Sequence, residues 1–165
     1  MQKKLMNWLY PKVRNFKQIP PYLFFGSVAA GLYGAIHDQL SYTISNEYFT
    51  RFKFYQFHYA DFDLPDRFFV GIIGFLATGC VGMIVSWFLA RIRFNSDHLD
   101  SARKDILRGF AIVSAAAVLT AIAGGIVGYA RAFYFPLEGF FGWESVLTEA
   151  ELKNFVIVGF IHNFG

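Results

Sequence analysis

Along the chain, long runs of apolar positions alternate with short segments that hold most of the charge. Apolar runs cover about residues 22–41, 68–90 and 109–130, and a fourth begins near residue 154 and continues to Gly165. About 20 residues of helix cross the roughly 30 Å hydrocarbon core of a bilayer, so the first three runs predict complete spans. The fourth rises only about 16 Å. It is expected to be the start of a span that the chain leaves incomplete, with a native half-helix as the alternative. Pro20-Pro21 opens the first span, where proline is tolerated in the first helical turn. The fold class that follows is all-α: a polytopic transmembrane helical bundle in one membrane domain over residues 1–165.

The connecting segments carry their own patterns. Between residues 48 and 62, Tyr48, Phe52, Tyr55, Tyr59 and Phe62 recur at intervals of four and three, one face of a helix. Arg51, Lys53, Gln56, His58 and Asp61 fall mostly elsewhere, which predicts an interfacial amphipathic helix over 48–62. An aromatic belt on an irregular loop is the competing form. Thr148-Glu149-Ala150-Glu151 has the spacing of a capping box and places a helix start near Glu149. Ser101 offers a weaker cap for the third helix. Small residues recur at Gly74, Thr78, Gly82 and Ser86 on the second span, and at Ala117, Ala121, Gly124, Gly125 and Gly128 on the third. Such stripes let helix backbones approach closely. They predict that the second span packs on the third, or that either packs across a homo-oligomer or against a membrane-protein partner.

Composition agrees with this class. The chain is 55% hydrophobic and only 16% charged, against about a quarter charged in soluble domains. Mean hydropathy is +0.38 and the pI is near 9.0. The net charge of +3 does not indicate nucleic acid, because the basic residues flank the apolar runs and form no continuous patch. Lys3, Lys4, Lys12, Arg14 and Lys17 precede the first run, and Arg91, Arg93, Arg103, Lys104 and Arg108 separate the second from the third. Arg51, Lys53, Arg67, Arg131 and Lys153 lie on the opposite side. Ten against five places the N-terminus in the cytoplasm by the positive-inside rule. Too short an apolar run precedes Ser27-Val28-Ala29 for a signal peptide, so the first segment is expected to be a retained anchor. Cys80, the sole cysteine, allows no internal disulfide or thiolate cluster.

Phosphate loops, nucleophile elbows, HExxH and CxxC pairs are absent from the sequence. The chemistry left is that of polar residues within apolar helices, which are costly in lipid and mark candidate sites. Counted from Tyr22 at about 1.5 Å per residue, His37 lies about 22 Å along the first span and Asp38 one residue further. His162, reached from the opposite face, and Thr120 fall within about 6 Å of that depth. Glu47 can join them only where the chain turns near Ser45-Asn46. His37, Asp38, Glu47 and His162 are therefore the candidate ligands, with imidazole and carboxylate suited to a transition metal ion or a proton relay. In the alternative reading, His37 and Asp38 snorkel to the interface and hydrogen-bond to neighbouring helices. His58 and His98 are read as solvent-facing loop residues, and Arg103, Lys104 and Arg108 as anchors.

Two further segments carry a resemblance. Tyr33-Gly34-Ala35-Ile36-His37-Asp38-Gln39 followed by Glu47-Tyr48-Phe49-Thr50 resembles small bacterial multi-pass membrane proteins that combine Tyr-Gly-x-x-His-Asp-Gln with Glu-Tyr-Phe-Thr. The likeness extends to Ile161-His162-Asn163. It implies a shared helical fold in the bacterial inner membrane and directs attention to those polar positions, but it carries no activity. Three functions follow as expectations. One is a binding or permeation protein, with a cluster near the outer face handling a metal ion or proton. Another is a membrane-embedded metal-dependent enzyme, and the third is a structural subunit of a membrane assembly.

Overall fold

The computed structural model describes residues 13–94, 99–140 and 142–165. Lys3, Lys4, Lys12 and His98 lie outside the described residues. A 3-10 segment, Val13–Gln18, leads into α1, Ile19–Ile44. The short helix α2 covers residues 46–56 in three parts: Asn46–Tyr48 as α-helix, Phe49–Lys53 as π-helix and Phe54–Gln56 as α-helix. Helix α3 is Asp66–Arg93, α4 is Leu99–Tyr134 and α5 is Glu149–Phe164. Among the described residues there is no strand, and the molecule is a helical bundle.

Three of the helices are long and apolar enough to cross a membrane, over residues 15–44, 66–93 and 100–134. Each begins or ends outside the apolar run that revealed it, because polar residues at the ends extend the helical ladder at little cost. Helix α4 starts at Leu99, so Ser101 sits inside its first turn and does not cap it. Only 6% of the apolar window of α4 is buried. That is the signature of a helix whose surroundings are themselves apolar. At the start of α5 the capping box is complete. Thr148 Oγ1 accepts from the Glu151 amide at 3.4 Å, and the Glu151 carboxylate accepts from the Thr148 amide at 2.7 Å. Hydrogen bonds to the Glu151 carboxylate, from the Thr148 backbone N–H first and then from its hydroxyl at 2.8 Å, hold the Glu151 carboxyl below its ordinary pKa.

By contact, the chain forms two compact units. Among the described residues, the first comprises those of 13–35 and 74–114. Its core gathers Ile19, Ala90, Phe94, Ala102 and Ile106. The stripe on α3 is used here, but against α1 and not against α4 as its spacing suggested. A Cβ on Gly74 would collide with the Gly34 carbonyl, and one on Gly82 with the Gly26 carbonyl. Between these two crossings Thr78 donates to the Ala30 carbonyl at 2.7 Å. Small-residue spacing predicts close approach without naming the partner helix. Arg93 also pairs with Asp105 at 3.4 Å.

The second unit comprises residues 36–73 and 115–165. Its larger core joins Tyr48 and Phe49 of α2 to Val70, Ala132, Leu147, Leu152, Phe155, Val156 and Val158. The glycines of α4 face α5: a Cβ on Gly124 would meet Phe160, and one on Gly128 would meet Ile157 and Phe160. The aromatic stripe of 48–62 divides. Tyr48 is buried and Phe52 packs on the core, while Tyr55, Tyr59 and Phe62 remain exposed. The helix therefore forms over the first part of the expected segment, and a 3-10 turn, His58–Ala60, follows it. His58 Nδ1 lies 2.9 Å from the Tyr55 carbonyl in that turn.

The glycine crossing gives a direct test. Gly74→Ala forces the α1–α3 backbones apart and should cost on the order of 1–3 kcal/mol, as overpacking does. Gly71→Ala, whose Cβ would sit 3.6 Å from Gln39 Nε2, should be near neutral. Thermal denaturation of the two variants in detergent reads the difference.

Candidate functional site

The second unit brings together three of the four candidate ligands. His37 and Asp38 are consecutive on α1, about 10 Å of helix before its Ile44 end. His162 lies in the last turn of α5. One ligand atom from each of His37, Asp38 and His162 lies within 4.8 Å of the others. Asp38 is only 4% exposed, so it does not snorkel to an interface. Its Oδ1 stands 3.8 Å from His162 Nε2, beyond hydrogen-bond reach. His162 Nε2 is buried with no hydrogen-bond partner among the described residues. The His37 and His162 rings meet edge to face, with centroids 4.9 Å apart.

The fourth candidate goes elsewhere. The chain does turn at Ser45, whose extended backbone ends α1 and whose hydroxyl caps α2 by accepting from the Tyr48 amide at 3.3 Å. That turn directs Glu47 away from the histidines. Its carboxylate accepts from Ser45 Oγ at 3.1 Å and lines an open cavity of about 430 Å³ with Tyr42, Arg67, Glu151 and Asn154. Thr120 is also absent from the cluster. Its hydroxyl donates to the carbonyls of Ala116 and Ala117 on its own helix, the usual outlet for threonine in an apolar helix.

What the turn brings to the site instead is Tyr48, Phe49 and Lys53. Tyr48 stacks on the His162 ring, with centroids 5.0 Å apart and planes 25° from parallel. Phe49 meets the same ring edge-on at 5.9 Å. Burial pushes the Tyr48 phenol up to about 12, with the Asp38 charge adding to the effect. Lys53 Nζ lies 5.9 Å from the Tyr48 ring centroid, 5.7 Å from that of Phe52 and 6.0 Å from that of Phe57, within cation–π range. Burial lowers the Lys53 pKa, and the Asp38 carboxylate pulls it back up.

Lys53 is hidden from periodicity for a geometric reason. At 3.6 residues per turn, positions five apart diverge by about 140°. Between Phe49 and Lys53 the helix is π, closed by the Phe54 amide on the Phe49 carbonyl. The wider i→i+5 turn brings position 53 back toward the face of Tyr48.

The donor set suits a first-row transition metal. Two imidazoles and one carboxylate give three ligands with open positions, an arrangement used by zinc and non-haem iron. At metal–ligand lengths of about 2.0–2.2 Å, neighbouring ligands stand about 3.0–3.5 Å apart. The Asp38–His162 separation of 3.8 Å nearly meets that, and the 4.8 Å spread of the three has to contract by about 1.5 Å. No family model, curated protein or solved structure matches the chain. The resemblance drawn from residues 33–39 and 47–50 thus rests on those motifs.

Replacing His162 by Phe separates packing from chemistry. The ring stack on Tyr48 is retained and an unpaired buried nitrogen, worth about 1–3 kcal/mol in desolvation, is removed. His162→Phe should melt at or above the wild-type temperature, and His162→Ala below it.

Proposed function

We propose that this is a multi-pass membrane protein that binds a transition metal ion at His37, Asp38 and His162 and serves in its storage or passage across the membrane. The observation carrying this reading is the orphaned His162 Nε2 beside a buried carboxylate at 3.8 Å. A buried polar atom without a partner is destabilising in a fold, and a metal ion held between the two groups would relieve both at once. The same groups exchange protons, so a proton relay is the second reading. A membrane-embedded metal enzyme would use the open coordination position for water or substrate. We place the protein in the bacterial inner membrane with its N-terminus in the cytoplasm, on the strength of the resemblance and the Lys/Arg asymmetry. The glycine stripes are occupied within the chain. A homo-oligomer or partner subunit would therefore dock on the exposed apolar run of α4.

Purified protein loaded with Zn²⁺ in detergent provides the test, by metal analysis and titration. His37→Ala, Asp38→Asn and His162→Phe should each weaken binding tenfold or more, while Glu47→Ala and Thr120→Ala leave it unchanged. Zn²⁺ binding that is absent, or indifferent to all five substitutions, removes the metal reading. In metal-free liposomes, proton flux lost in the first three variants would favour the relay. Orientation is tested by an impermeant maleimide on intact cells: Glu138→Cys should be labelled directly, and Ser101→Cys only after permeabilisation.

A further inference from the structure

The metal-free site contains a cation of its own. We propose that the Lys53 ammonium is the resident counter-cation of Asp38 and that a metal ion enters the site by displacing it. This deepens the metal reading above and rests on it. Lys53 is half-buried against the rings of Tyr48, Phe52 and Phe57. Among the described residues no carboxylate lies within ion-pair distance of it. The ring beneath it, Tyr48, stacks on His162, and His162 Nε2 stands 3.8 Å from Asp38 Oδ1. Lysine, tyrosine, histidine and aspartate thus follow one another through successive contacts, Lys53 on Tyr48, Tyr48 on His162 and His162 beside Asp38.

Charge balance governs the exchange. With neutral imidazoles, Asp38 and Lys53 cancel and the buried set is neutral. A divalent ion added to that set would leave an excess of two positive charges away from water, which low dielectric makes costly. If Lys53 leaves, the excess falls to one. Its exit is structurally simple, because lysine carries a compact charge on a flexible four-carbon stem and Lys53 sits at the end of the π segment with part of its side chain exposed. Lys53 therefore sets the affinity and charge selectivity of the site without touching the metal. The aromatic rings hold the ammonium loosely enough to be exchanged, where a direct carboxylate pair would lock it.

The test uses the full chain in detergent, with Zn²⁺ as the probe. Lys53→Gln should bind Zn²⁺ tenfold or more tightly than wild type, and Lys53→Arg should stay within about threefold of wild type, given two unit charges at an effective dielectric near 20. A second measurement needs no metal. Melting temperatures of Asp38→Asn, Lys53→Gln and the double variant should be non-additive, with the double variant less destabilised than the two single effects combined. Unchanged or weaker Zn²⁺ binding in Lys53→Gln, with wild type binding normally, overturns the displacement. Additive melting shifts overturn the pairing. Absence of Zn²⁺ binding in wild type and Lys53→Gln alike removes the metal reading and the exchange with it.

Discussion

A carboxylate on a helix apolar enough to cross a bilayer has few ways of being tolerated, and the second unit is organised around one of them. Asp38 is buried, so water cannot solvate it. The neighbouring helix presents His162, and α2 folds back to present Tyr48 and Lys53. An isolated charge at the bilayer centre costs about 2.5–3.5 kcal/mol on insertion scales. Complementary groups from three segments reduce that cost, and the local topology that brings them there is a turn at Ser45 and a pair of close helix contacts at Gly124 and Gly128.

The aromatic packing serves the same end. Tyr48 reaches Phe52, Phe155 and His162 with ring centroids 5.4, 5.1 and 5.0 Å away. These rings exclude water from one side of the cluster and raise the weight of every charge within it, since electrostatic interactions strengthen as the local dielectric falls. They also fix the plane of the His162 imidazole, which directs Nε2 at Asp38.

The helices and their number were readable because a bilayer imposes length and apolarity together, and runs such as 68–90 satisfy both. The similar depth of His37, Asp38 and His162 was readable by counting along the helices, and depth permits contact without deciding it. Lateral facts were harder. The spacing of Gly74, Thr78 and Gly82 announces a close helix contact, but nothing in it distinguishes α1 from α4. Thr120 has the right depth and the wrong direction, hydrogen-bonding to its own helix, and Glu47, which needed the turn to reach that depth, accepts from Ser45 two residues back. Such local outlets compete with long-range sites and leave no trace in composition. Lys53 needed knowledge of a helical turn that departs from 3.6 residues, which no periodicity scan assumes.

That turn has a consequence for relatives of this chain. A π segment differs from α-helix by one extra residue, and losing it would restore ordinary winding without disturbing the flanking helices. Each residue turns an α-helix by about 100°, so a relative one residue shorter between Phe49 and Lys53 would keep the fold, both histidines and the aspartate while swinging its lysine away from Tyr48. Segment length, more than the identity of any motif letter, would then separate chains with a self-neutralised site from chains whose aspartate stands uncompensated.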